Sequence, residues 1–213
     1  MWSEPKTWKL PNGESFYGKK LNVFEHTILE YNYVTPKLKN CRRVIDIGAH
    51  VGSTSVRYAK DFQFVECFEP MYFEELTHNT NHLKNVNRYN VALSNYSGDI
   101  EMVRHKNNSG MTRVIAEETH KYINKKRNSF DKNTHRVKVN PLDNYDFSDV
   151  DFIKMDTENY VIPILEGAKR TLENNSPILQ IECKENMGEV DNFLKQFGYK
   201  LYDTFSVERF YSK

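Results

Sequence analysis

No run of this 213-residue chain stays apolar over the ~18 residues that a membrane-crossing helix needs, and Met1 to Leu10 has no apolar centre of the kind a secretory leader carries. Cysteine is scarce: Cys41, Cys67 and Cys183 stand alone, odd in number and without metal-type spacing. That argues against a disulfide framework and against a thiolate metal centre. A soluble, cytoplasmic protein with free thiols is expected. Neither sign of charge is in excess, since 30 Lys plus Arg meet 29 Asp plus Glu for a formal net charge of +1. Without a global field to steer it, the chain is expected to have no nucleic-acid partner and no membrane partner. Its length suits one α/β domain with a buried core rather than two. The oligomeric state leaves no signature in the sequence.

What the chain does have is the stretch Arg43-Val44-Ile45-Asp46-Ile47-Gly48-Ala49-His50-Val51-Gly52-Ser53-Thr54-Ser55. A short β-branched run ends in an acid, two glycines follow four apart, and small polar residues open a helix. Glycine permits close approach of a ligand to the backbone and a sharp turn with positive φ. The spacing is G-x-x-x-G, unlike the G-x-G-x-x-G of pyrophosphate-binding folds.

Residues 1–40 read as an N-terminal arm, with Trp2 and Trp8 in an arm or short hairpin, followed by a covering helix on Leu21, Phe24, Ile28 and Tyr31. Residues 41–213 read as the main domain. A second strand, Phe62 to Pro70, brings Glu69 to a strand end 23 residues after Asp46, where a carboxylate can accept hydrogen bonds from ribose hydroxyls. A helix is expected over Phe73 to Leu83 and a third strand over Asn87 to Leu93. Between residues 99 and 140 the pattern is weak: a strand at Asp99 to His105, a loop at Asn107 to Gly110, and a charged helical segment from Glu117 to Arg127. The run Lys121, Lys125, Lys126 and Arg127 reads as a solvated face before a phosphate site.

Extended character resumes at Val137 to Leu142. The run Asp151-Phe152-Ile153-Lys154-Met155-Asp156-Thr157-Glu158 is a buried strand ending in two acids, before a helix over Ile162 to Asn174. The next strand, Pro177 to Cys183, carries Glu182 near its end, Met187 to Phe197 is helical, and Tyr199 to Phe205 with Val207 to Tyr211 forms an antiparallel pair. Strands alternating with helices imply an α/β, mostly parallel sheet. Ligands in such sheets bind beyond the carboxyl ends of the strands, where Asp46, Glu69, Asp156 and Glu182 would converge.

The stretch Val44 to Gly52, then Phe68-Glu69-Pro70, Val91-Ala92-Leu93-Ser94, Leu142-Asp143, Asp151 to Glu158 and Ile164-Leu165-Glu166-Gly167-Ala168 together resemble the FkbM-type methyltransferases, in register from about residue 42 to 183. The resemblance implies a Rossmann-like class I methyltransferase fold: a seven-stranded, mostly parallel sheet with helices on both faces and an antiparallel C-terminal strand. It implies S-adenosyl-L-methionine as methyl donor and a hydroxyl, often of a sugar or polyketide, as acceptor. Carried over by position, Asp46, Gly48, Ala49, His50, Gly52 and Ser53 would hold the methionine end of the cofactor. Glu69 and Pro70 would lie at the ribose, and Asn90, Val91 and Ala92 beside the adenine. Lys154, Asp156 and Glu158 would face the methyl, with Glu182 next to them. One departure stands out: where the family reads Asp-x-Glu-Gly-x-Glu, this chain has Asp156-Thr157-Glu158-Asn159-Tyr160-Val161.

A sulfonium methyl is already activated, so the enzyme's task is to place an oxygen in line behind the carbon and exclude water. A general base adds to this for a protonated hydroxyl. The order of candidates is Asp156, Glu158, Glu182, then His50 and His105; a structural role for Asp156, capping the following helix, competes with catalysis. Asp156 and Glu158 are also the carboxylates that would hold a divalent cation such as magnesium, which is not the favoured expectation. A non-catalytic cofactor-binding module and, behind it, a nucleic-acid methyltransferase are the alternatives to a small-molecule or glycan O-methyltransferase. The nucleic-acid alternative is weakened by the neutral charge and by Asp156-Thr157-Glu158-Asn159 at the fourth strand end, where an Asn/Asp-Pro-Pro-Tyr/Phe sequence would stand.

Overall fold

In the computed structural model, which describes residues 6–9, 15–18 and 30–213, the glycine-bearing stretch supplies the middle one of five parallel strands. The strands β1 (Lys6–Lys9) and β2 (Ser15–Gly18) make a separate antiparallel pair. The chain then runs β3 (Arg43–Ile47), α1 (Ser53–Tyr58), β4 (Phe64–Phe68), α2 (Phe73–Thr80) and β5 (Val86–Tyr89). A second set follows: β6 (Ala92–Leu93), β7 (Gly98–Val103), β8 (Arg113–Val114), α3 (Glu117–Lys125) and β9 (His135–Asn140). It closes with β10 (Val150–Met155), α4 (Val161–Glu166), α5 (Lys169–Asn175), β11 (Ile178–Glu182), α6 (Met187–Gln196), β12 (Lys200–Phe205) and β13 (Glu208–Ser212). Of the expected N-terminal helix only the end at Glu30 and Tyr31 lies within the described residues.

Seven strands form the main sheet in the order β12-β13-β11-β10-β3-β4-β5. Strands β11, β10, β3, β4 and β5 are mutually parallel, and β13 pairs antiparallel with both β11 and β12. Alternation along the central strands explains why both faces are covered. Val44, Val65, Cys67 and Phe152 pack on one face with Tyr31, Tyr58 and Leu76, while Ile45, Ile47, Ile153 and Met155 pack on the other with Ile164, Leu165, Leu172, Val190 and Leu194.

Two expectations are corrected. The strand read as Asn87 to Leu93 is two: β5 pairs with β4, and after Asn90 and Val91 the chain leaves for a second, four-stranded sheet ordered β6-β9-β7-β8. The helix read over Ile162 to Asn174 is also two. A Cβ on Gly167 would lie 2.0 Å from the Ser94 carbonyl oxygen, so the chain packs backbone on backbone there. Asp143 then caps the fresh start, accepting from the Arg170 and Thr171 amides at 2.9 Å each. Among the described residues no helix is long and apolar enough to cross a membrane.

Candidate active site

A cleft of about 470 Å³ opens beyond the carboxyl ends of β3, β4, β10 and β11. At its floor, Gly48 has φ +79°, and a Cβ there would stand 2.0 Å from the Asp156 carbonyl oxygen. The glycine turn therefore lies directly against the end of β10, which brings the two informative stretches together. Gly48, Ala49, His50 and Ser53 line the cleft, as do Glu69, Pro70, Val91, Ala92, Lys154, Asp156, Glu158 and Glu182. Asn90 is exposed at the end of β5 and outside that lining, and neither Asp46 nor Gly52 reaches it. Asp46 instead anchors α1: its Oδ2 accepts from Thr54 Oγ1 and Ser55 Oγ at 2.7 Å each.

Glu69 is buried and knits the turn to the start of α2. Its Oε2 accepts from the His50 amide at 2.9 Å, and its Oε1 from the Met71 and Tyr72 amides at 2.7 and 3.0 Å. Burial pushes its carboxyl above the ordinary value, and those three amides pull the other way.

Beneath the cleft a buried polar row crosses the sheet. Lys154 lies in register between Asp46 on β3 and Gln180 on β11, and Gln180 Nε2 donates to Glu208 at 3.0 Å. Burial acts to discharge the Lys154 ammonium, but Asp156, Glu208 and Asp46 outweigh it and hold it charged. Its Nζ donates to Asp156 Oδ2 at 3.0 Å. Burial raises Asp156 as well, yet Lys154 prevails and brings it down to about 2. Asp156 thus enters the cleft ionised, its side chain 39% exposed.

The neighbouring acids are in different states. Glu182 is pushed up to about 9 by burial and by the Asp156 carboxylate, so it carries the proton of the pair at neutral pH. Glu158 accepts from Arg113 NH2 at 2.5 Å, and Arg113 NH1 donates to the Glu158 carbonyl oxygen at 2.6 Å. Lys184 completes the cluster, its Nζ 2.6 Å from Glu182 Oε1 and 3.5 Å from Glu158 Oε2. His50 lines the same cleft with a T-shaped contact to Tyr72, and its Nε2 has no hydrogen-bond partner among the described residues. Burial lowers it to about 4, so the ring is neutral at pH 7. His105 packs against Phe130 on the second sheet, outside the lining.

The turn after β10 explains the sequence departure. Glu158 and Asn159 both have positive φ, 52° and 75°. Asparagine tolerates this left-handed region better than most residues. Asn159 Oδ1 accepts from the Lys184 and Glu185 amides at 2.9 and 3.2 Å, tying the turn to the loop after β11. Val161, where the family has its second acid, is buried in the core, and Tyr160 shares a 2.9 Å hydrogen bond with Ser94.

Sequence reasoning did not single out Arg113, Lys184 or Tyr72 as site residues; Asn108, Ser109 and Gly110, from the loop it did expect, line the cleft with Thr112. Arg113 sits in a two-residue strand within the weakly patterned segment and carries no periodic signal. Lys184, two residues beyond Glu182, carried a positional one.

The family model of the methyltransferase FkbM domain matches residues 46–201. The chain belongs to the FkbM methyltransferase family. Membership in that family supports a methyltransferase over a non-catalytic binding module. No curated protein matches it. Solved structures share the fold at low identity. An FkbM methyltransferase from Methylobacillus flagellatus superposes with TM-score 0.54 and 15% identity, over 81% of this chain and 43% of that one. The 16S rRNA N2 G1207 methyltransferase of T. thermophilus gives TM-score 0.54 and 10% identity over 99% and 50%. A precorrin 8w decarboxylase from Methanobacterium thermoautotrophicum gives 0.51 and 12% over 97% and 96%. This chain of the FkbM family thus spans less than half of the Methylobacillus protein, and their likeness is one of fold.

Proposed function

We propose that this FkbM methyltransferase transfers the methyl of S-adenosylmethionine to a hydroxyl of a small molecule or glycan, a sugar hydroxyl by preference, in a reducing, cytoplasmic setting. The carrying observation is one cleft that holds the glycine turn, Glu69 and, directly against that turn, an ionised Asp156 beside a protonated Glu182. In this reading Gly48, Ala49 and His50 take the methionine end, Glu69 the ribose hydroxyls, and Val91 and Ala92 the adenine. Bound cofactor supplies an electrophilic methyl; the chain's own residues orient the acceptor and accept its proton.

Among the proton acceptors Asp156 leads. Glu158 is held by Arg113, Glu182 already carries a proton, and His105 lies outside the cleft, which leaves neutral His50 second. Asp156, Glu158 and Glu182 place one oxygen each within 4.8 Å of one another, a spacing that a cation could use. Lys154, Arg113 and Lys184 already sit against these carboxylates, however, so a divalent ion would meet cations already in place. Turnover is therefore expected without added metal.

Calorimetry tests the donor site. Glu69→Ala is expected to weaken cofactor binding roughly 10- to 100-fold, the value of hydrogen bonds to a charged group; unchanged affinity refutes the assignment. Asp156→Asn is expected to bind cofactor normally and to lose about 10²- to 10⁴-fold in S-adenosylhomocysteine release. Retained turnover in Asp156→Asn with loss in His50→Gln transfers the role to His50.

A further inference from the structure

The charges of this chain are segregated. Residues 104–138 hold ten Lys and Arg against three Asp and Glu, so the remainder of a chain of net charge +1 is acidic. Those residues build β8, α3 and β9, and Val114 of β8 lines the cleft. The link is a side-chain stack. Arg113 lies with its guanidinium carbon 4.0 Å from the centre of the Tyr122 ring on α3, and its NH2 contacts Glu158 in the cleft. On the other side Thr112 lines the cleft and shares a 3.0 Å hydrogen bond with Tyr72. Around Tyr122, Lys121, Lys125, Lys126 and Arg127 are exposed, and none of them forms an ion pair among the described residues. Among the described residues the Arg127 side chain donates to the Asp131 carbonyl oxygen.

Resting on the acceptor reading above, we propose that the hydroxyl acceptor is anionic, its phosphate or carboxylate groups held by Lys121, Lys125 and Lys126 of α3, the helix whose Tyr122 stacks on Arg113. Lysines clustered within a Debye length, ~8 Å at physiological salt, sum their fields where a single surface pair contributes little. Inside the cleft Lys154, Arg113 and Lys184 sit against Asp156, Glu158 and Glu182. The patch is local, and the rest of the acidic molecule repels a long polyanion. That favours a compact acceptor with one or a few anionic groups over a polynucleotide.

The test is calorimetric binding of inorganic pyrophosphate, a glucuronate oligosaccharide, a neutral oligosaccharide and a short RNA to the full chain saturated with S-adenosylhomocysteine. Lys121→Gln/Lys125→Gln/Lys126→Gln is run beside the wild type. Pyrophosphate or the glucuronate oligomer is expected to bind the wild type, to weaken at least about tenfold in the triple variant, and to weaken further between about 0.05 and 0.5 M salt. Pyrophosphate binding alone identifies a phosphorylated acceptor, and glucuronate binding alone an acidic sugar. No binding of either anion, equal binding in both proteins, or binding of RNA only overturns the proposal. S-adenosylhomocysteine affinity is expected to be unchanged in the triple variant. If the wild type fails to bind S-adenosylhomocysteine, the donor-site reading fails instead.

Discussion

At the scale of single residues the turn from Asp156 to Val161 shows how a motif changes without losing its geometry. A family glycine supplies positive φ without cost. Asn159 retains φ 75° and adds two hydrogen bonds to the Lys184 and Glu185 amides. Asn159→Gly is therefore expected to stay within about 1 kcal/mol of wild type, because relief of the left-handed backbone offsets the lost hydrogen bonds. Asn159→Ala loses the bonds and keeps the strain, and about 2–3 kcal/mol of destabilisation is expected in urea denaturation. Equal stability of the two variants contradicts this account. The acids at the site were legible from their strand-end positions. Their protonation states were not, since those arise from partners distant in sequence: Arg113 is 45 residues from Glu158, and Glu182 is 26 from Asp156.

At the scale of elements, short pieces of the second sheet complete a site whose main parts lie on the first. Strand β8 has two residues, yet through buried Arg113 it joins α3 to the turn after β10. Removing one partner of a buried ion pair strands the other, so Arg113→Met is expected to cost about 3–5 kcal/mol. Adding Glu158→Gln is expected to recover part of that loss, about 1 kcal/mol or more, as a coupling energy in a double-mutant cycle. Additive losses in chemical denaturation contradict the pairing. Elements with a repeated apolar period, such as β3, β10, α2 and α6, were readable because burial on one or both faces writes itself into the sequence. The breaks were not, since Gly167 ends a helix through contact with Ser94, 73 residues earlier.

At the scale of the whole molecule, burying ionisable groups across the sheet makes stability depend on pH. Burial raises Glu208 to about 7 against the pull of Lys154, and burial with the Asp156 carboxylate raises Glu182 to about 9. Both carboxyls have an unfolded value near 4.5, so between that pH and their folded values the native state binds more protons than the unfolded one. Their contribution to stability falls as pH rises from about 5 to 9. Asp156 acts oppositely, but its contribution is complete above about pH 4 and is lost only as pH falls through about 2. A higher Tm at pH 6 than at pH 9 is expected in thermal melts, with a flatter profile in Glu182→Gln and Glu208→Gln. A Tm that rises between pH 6 and 9 contradicts these assignments.

The sequence by itself determined the parallel α/β arrangement, the glycine turn at the floor of the cleft and the family, because local period, turn chemistry and strand-end acids are properties of neighbouring residues. Only the tertiary structure decided which acid is free. It set Lys154 against Asp156, Arg113 against Glu158 and a proton on Glu182, and it stacked Tyr122 of α3 on Arg113. The physical reason is that charge states in a buried cluster depend on distance in space, and the sheet order β11-β10-β3-β4 brings together groups that the chain keeps far apart.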